Sequence, residues 1–254
     1  TLVGIGVLGL LLSGNDQIGL LFATSSWGAS TGWSLTALPM FIWMGEVLFR
    51  TRLSEDLFKG LSPWMGGLPG KLLHVNILSC GIFAAVSGSS AATAATIGRM
   101  TLPELKAQGY SDRMAVGTLA GSGTLGLLIP PSIILIVYGV AAEVSIGRLF
   151  IAGALPGLML VVMFMGYTMV WATLNKDEMP KHKKEHISFS AKIKALRMLL
   201  PIVGLIVFVL GSIYAGFTTP TEAAALGVFG ALLLAAVTGS LNADSFKASL
   251  LGAV

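Results

Sequence analysis

The sequence predicts an all-α polytopic membrane protein, and three observations predict it. Of 254 residues, 54% are apolar and only 11% charged, with a mean hydropathy of +0.83. A soluble domain of this length carries roughly 25% charged residues. Several runs of about 20 residues are almost free of charge, the length that crosses about 30 Å of hydrocarbon. The 32 glycines, with many Ala, Ser and Thr, suit helices packed closely through small residues.

Charge distribution narrows the class further. The formal charge is +4 and the pI 9.3, but the basic residues lie in loops between apolar segments, where they set topology. Nucleic acid is therefore excluded as a partner, and the lipid bilayer takes its place. The single cysteine, Cys80, sits in an apolar run and reads as a buried, inert thiol. Thr1 is already inside an apolar run and no initiator Met is present, so the chain reads as a piece of a longer one.

Taken in order, residues 1–49 supply N-terminal membrane segments. Residues 2–12 are too short to span alone, Ser13–Asp16 is a turn cluster, and the polar-aromatic stretch Ser25–Ser34 belongs at an interface or in a short re-entrant segment. Residues 35–49 form the inner part of the next span, which can begin from Trp33, with Glu46 paired to Arg50 one turn on. Residues 50–71 are a basic loop punctuated by Pro63 and Pro69.

Residues 72–98 could be one tilted span by length, but the positive-inside rule argues for a re-entrant hairpin. The basic loops are 50–71, 99–113 and 174–197, and the second and third are separated by two crossings. A single crossing by 72–98 would strand the first loop on the opposite side. A hairpin turning at Ser87-Gly88-Ser89-Ser90 makes all three cytoplasmic and, with Lys247 also inside, leaves only Arg148 of the sixteen Lys and Arg residues outside. His74 and Asn76, on its first arm, read as satisfied polar residues near the interface.

Residues 99–173 then hold a broken helix and a clean span, 149–173. Within 114–142, Gly121, Gly123 and Gly126 supply backbone freedom and Ser122 and Thr124 supply hydroxyls. Pro130-Pro131 prevents a regular helix through the turn that follows. The loop 174–197 holds His182 and His186 at i,i+4 spacing, a spacing zinc can use, but with no third ligand nearby it reads as solvated. Residues 198–254 carry the last spans. There Thr219, Pro220 and Glu222 form a capping box at a helix start.

No HExxH, GxSxG, P-loop or paired-cysteine pattern is present, so neither enzyme chemistry nor an organic cofactor is expected. The two breaks are the chemically informative feature. A lipid-exposed backbone cannot stay unpaired, so the breaks at Ser87–Ser90 and Gly121–Gly126 must be buried in protein or line a cavity. Freed carbonyls with Ser and Thr hydroxyls form an all-oxygen environment suited to a hard monovalent cation. Half-helix N-termini favour an anion. This points to transport. A channel lined by the same breaks, or a structural subunit that packs through them, fits the residues as well.

The runs Ser87–Gly98, Gly126–Ile133 through Gly139, Val144–Ile146 and Phe217–Ala224 resemble the large membrane subunit of TRAP transporters, the tripartite ATP-independent periplasmic uptake systems. The resemblance implies a bacterial or archaeal inner-membrane importer of organic acids. It would be driven by sodium and move its site by an elevator-like motion. A periplasmic substrate-binding protein would deliver the substrate, and a small four-helix membrane subunit would flank this one. It implies an inverted-repeat fold, of which this chain carries the first hairpin and broken helix and only the start of the second repeat. Ser87, Gly88, Ser89 and Ser90 correspond to the first hairpin tip, and Gly121, Ser122, Gly123, Thr124 and Gly126 to the interrupted helix, with Pro130 and Pro131 shaping the break. The Na+ ligands expected among them are Ser87, Ser90, Gly121 and Thr124. Many family members carry Asp where Thr93 stands, which alters the charge balance near the site.

Overall fold

The structure, a computed structural model, describes residues 2–14, 17–51, 53–180 and 188–253, and among them every regular element is helical. Helices α1 (Leu2–Leu12) and α2 (Ile18–Ser30) are apolar and largely exposed. Of the stretch Ser25–Ser34, the first part, through Ser30, continues α2. A 3-10 turn, Trp33–Thr36, leads into α3 (Ala37–Phe49), which buries Phe41, Met44 and Leu48. The expected Glu46–Arg50 pair is present at 3.0 Å.

The segment expected to be a loop after α3 contains α4 (Leu53–Met65), whose Leu57 and Leu61 are buried while Lys59 and Glu55 pair on the outer face at 3.3 Å. Apolar residues at i and i+4 on one side make an amphipathic helix. Helices α5 (Leu72–Ser87) and α6 (Ser90–Ala107) follow, then α7 (Asp112–Gly123), a 3-10 turn at Thr124–Leu127, and α8 (Ile133–Ala141). Helix α6 runs past Gly98 because Arg99 and Lys106 lie exposed on its outer side while Thr101 and Leu105 face inward. Arg99 also stacks over the Phe49 ring at the end of α3, 5.6 Å from its centroid.

The long helix α9 (Ile146–Leu174) precedes α10 (Phe189–Leu196), which continues through a 3-10 turn into α11 (Leu200–Tyr214). Helices α12 (Pro220–Val237) and α13 (Ala243–Gly252) complete the described chain. Among the described residues three helices, Ile146–Leu174, Phe189–Tyr214 and Pro220–Val237, are long and apolar enough to cross a membrane. The second of these runs, Phe189–Tyr214, begins within the stretch read as loop 174–197. His182 and His186 lie outside the described residues.

Side-chain caps hold the helix starts where the sequence breaks. Ser111, Ser132 and Ser145 accept from the backbones of α7, α8 and α9, and Thr219 and Glu222 form the expected capping box on α12. Helix α12 lies along α3, and α13 returns to α3 as well, where the Trp43 indole donates to Ser249 at 3.2 Å.

Helices α5 and α6 are the two arms of a hairpin. Thr101 donates to the Asn76 carboxamide oxygen at 2.8 Å, and each residue stands eleven positions from its own arm's tip end. Equal spacing across one contact is the register of antiparallel arms. At the base of the hairpin the Leu72 amide donates to the Tyr110 hydroxyl at 3.2 Å, beside the start of α7. Gly70 lies against Thr168, near the end of α9. Trp64 of α4 donates to the Lys192 carbonyl at 3.2 Å. Described parts of the three basic segments 50–71, 99–113 and 174–197 thus converge at one end of the bundle.

Candidate functional site

The hairpin turns in two residues. Gly88 takes the left-handed conformation at φ 61°, and Ser89 is extended and caps α6, accepting from the Ala92 amide at 3.4 Å. Left-handed backbone favours glycine at the first of these positions. The side chains of Ser87 and Thr93 close the turn internally, hydroxyl to hydroxyl at 2.8 Å, and both are buried.

This tip is seated on the interrupted helix. The Gly88 carbonyl accepts from the Ile133 amide at 3.2 Å, and a methyl group at Gly88 would stand 2.5 Å from the Pro131 carbonyl oxygen. A methyl group at Gly126 would stand 2.8 Å from both the Ser89 carbonyl carbon and the Ser90 nitrogen. One at Gly123 would stand 3.0 Å from the Ala94 Cβ. The two sequence breaks therefore meet backbone to backbone.

The interruption has a local cause. Helix α7 gives way at Gly123 to the tighter 3-10 turn, and residues 128–132, including Pro130 and Pro131, carry no helix before Ser132 starts α8. The Ser132 hydroxyl donates across the gap to the Leu127 carbonyl at 2.7 Å. That bond satisfies one backbone acceptor freed by the break, as burial requires.

The expected site residues are not equally placed. Ser87, Gly88, Ser89, Ser90, Gly126 and Pro131 gather at the contact between tip and break, with Thr93 directly behind it and Gly123 against Ala94, while Pro130 lies toward Gly153 of α9. Ser122 is buried and turned to its own helix, donating to the Thr118 carbonyl at 2.6 Å. Thr124 is exposed and donates to the Gly121 carbonyl at 2.7 Å, and Gly121 faces the Phe164 ring of α9. Of the hydroxyls at the tip, that of Ser90 is buried with no hydrogen-bond partner. Such an atom is costly unless something else occupies its lone pairs.

Two supports were not legible as such. Asn76, fully buried, donates to the Thr118 hydroxyl at 3.1 Å and the Ala115 carbonyl at 3.3 Å while accepting from Thr101. One carboxamide thus ties both hairpin arms to α7. Gly45 of α3 admits the end of α5, since a methyl there would stand 2.9 Å from the Ser87 Cα.

A helical hairpin seated on an interrupted helix, within a bundle of apolar helices, defines a polytopic membrane protein built like a transporter permease. The family is specific. Residues 1–254 match the model for the tripartite ATP-independent periplasmic transporter, DctM component, and the chain belongs to that family of transporter subunits. It is 38% identical over 201 residues to the ectoine TRAP transporter large permease protein TeaC of Halomonas elongata, covering 79% of this chain and 46% of that one. It is 38% identical over 222 residues to the C4-dicarboxylate large permease protein DctM of Pseudomonas aeruginosa, covering 87% and 51%. The sialic acid large permease protein SiaM of Vibrio cholerae is 33% identical over 225 residues, covering 87% and 51%. The chain therefore spans about half the length of these relatives.

Proposed function

We propose that this chain forms the first half of the large permease subunit of a sodium-coupled TRAP system that imports an organic acid. The observation that carries the proposal is the seating of the Ser87–Ser90 tip on the Gly126–Pro131 break, with the Ser90 hydroxyl buried and unpartnered there. In this reading a sodium ion takes the Ser90 hydroxyl and backbone carbonyls freed at the tip. Thr124 and Gly121 are bonded to each other and would have to separate to take part.

The substrate side follows from charge. The relatives' names give C4-dicarboxylate, sialic acid and ectoine, organic solutes that carry carboxylate groups. No Arg lies at the tip, and Thr93 supplies no carboxylate, its hydroxyl being taken up by Ser87 at 2.8 Å. The N-terminal ends of α6 and α8, which both start at this contact, offer partial positive charge to an anion instead. Sodium arriving first would order the tip and complete that site, so that the two ligands bind more tightly together than apart.

The same reading puts the converging basic segments on the cytoplasmic side, in agreement with the positive-inside rule. It adds a small four-helix membrane subunit and a periplasmic substrate-binding protein as partners, and an elevator-like movement of hairpin and broken helix as one body. The test is uptake into proteoliposomes holding the full-length protein and its small subunit. A binding protein loaded with C4-dicarboxylates, sialic acid or ectoine would be outside, with and without an inward sodium gradient. Accumulation requiring both sodium and the binding protein is expected. Flux indifferent to both would overturn the coupling and favour a channel.

A further inference from the structure

Away from the tip, a cavity of about 520 Å³ lies between α5, α7 and α9. Its walls are apolar, with Ile77 and Met114 on the inner side and Met163 and Phe164 along α9. Gly117 opens the α7 wall, since a methyl group there would meet no atom within 4 Å. Arg113, exposed on the first turn of α7, also lines it. No acidic side chain does, and the neighbouring Asp112 is turned to Lys106 at 3.7 Å.

Position gives this arrangement its meaning. Arg113 stands at the end of the bundle where α5 and α7 begin and α9 finishes, the end shared by the three basic segments. Met163 and Tyr167 on α9 are more than half exposed, so the slot opens on the outward face of an apolar helix long enough to cross a bilayer. An apolar slot entered from the lipid side, with a cation at its membrane-water end, is complementary to a ligand with an acyl chain and an anionic head. Free phosphate would satisfy Arg113 but leave the apolar walls unexplained.

We propose that this slot is a binding site for an anionic phospholipid, its headgroup phosphate at Arg113 and an acyl chain lying along α9. The chain would lie against Gly121, the helical turn just before the break, so an occupied slot would pack the interrupted helix from behind. This site is separate from the hairpin tip and does not depend on sodium coupling.

The test uses the full-length protein with its small subunit in detergent, labelled with phosphatidylglycerol carrying a photoactivatable diazirine in its acyl chain. Peptide mapping of the wild type is expected to place the label on the segments 114–121 and 159–168. Arg113→Gln should weaken phosphatidylglycerol labelling about fivefold, the factor one basic residue near an anionic surface gives. It should leave the weaker labelling by the matching phosphatidylcholine unchanged. Gly117→Phe, filling the slot from an open position, should remove the label from both segments. Label spread evenly over the lipid-facing helices, or unchanged in Arg113→Gln, would overturn the proposal whether or not Gly117→Phe inserts. So would displacement of the label by soluble glycerol phosphate as readily as by lipid.

Discussion

Replacing Gly126 by Ala tests the contact between tip and break most directly. The added methyl carbon would stand 2.8 Å from the Ser89 carbonyl carbon, 2.8 Å from the Ser90 nitrogen and 3.0 Å from the Ser89 oxygen. Carbon atoms in good contact stand roughly 3.5–4.0 Å apart, so tip and break must move apart by about 0.7 Å or more. All three neighbours are backbone atoms, and none can rotate aside. Overpacking of this kind costs about 1–3 kcal/mol, and a loss of 1.4 kcal/mol in forming the seated state is about tenfold in its population. The assay is sodium-driven uptake in proteoliposomes, with membrane insertion and thermal unfolding followed in parallel. Gly126→Ala is expected to insert normally and lose roughly tenfold or more in uptake. Gly204→Ala on α11, where a methyl would meet nothing within 4 Å, is expected to keep wild-type uptake. Wild-type uptake by Gly126→Ala would refute the need for close seating, and equal loss in both variants would deny any special role to this contact.

Ser90→Ala removes a hydroxyl that makes no hydrogen bond, so the unfolding temperature should hold while the sodium concentration for half-maximal uptake rises about tenfold; an unchanged sodium dependence would remove Ser90 from the ion site. Asn76→Leu strands the partners of a fully buried carboxamide and should destabilise the detergent-solubilised protein by about 1–3 kcal/mol, read as a lower unfolding temperature; an unaltered melt would mean the three helices hold together without it. Gly88→Ala combines a left-handed backbone, costing roughly 1–2 kcal/mol for any other residue, with a methyl 2.5 Å from the Pro131 carbonyl oxygen. It should abolish uptake with insertion intact, and measurable wild-type uptake would show that the tip can re-form elsewhere.

Much of the architecture can be read without coordinates because its causes are local. The turn at Gly88 and the Pro130-Pro131 pair interrupt helices, and the charge of the loops is the sequence's argument for a hairpin over one crossing. The capping box at Thr219 and Glu222 is equally local. What escaped has tertiary causes. Arg99 and Lys106 read as loop residues, yet they ride on the exposed side of α6 while Thr101 on the same helix is fully buried. The charges and Pro63 that make 50–71 look irregular hide the buried Leu57 and Leu61 of α4. Asn76, Thr101 and Thr118 are isolated polar residues in apolar surroundings, and only packing reveals that they satisfy one another. The second helix break and the family resemblance group Gly121 and Thr124 with the tip, but neither says which side of the helix they occupy. A helix has a far side, and theirs faces α9 and the exterior.

The carboxamide at Asn76 makes the hairpin a lever, tied near its base to a neighbouring helix and packed along its length, with its tip seated on the break. From clamp to tip each arm rises by about 16 Å, eleven residues at about 1.5 Å each. A tilt of only about 7° about such a clamp would carry the tip through roughly 2 Å. Backbone atoms as close as those of Ser89 and Gly126 would then separate, with no helix melting and no buried hydrogen bond broken at the clamp. Stiffness at one end and leverage at the other let a small rotation make or break the contact where an ion would bind.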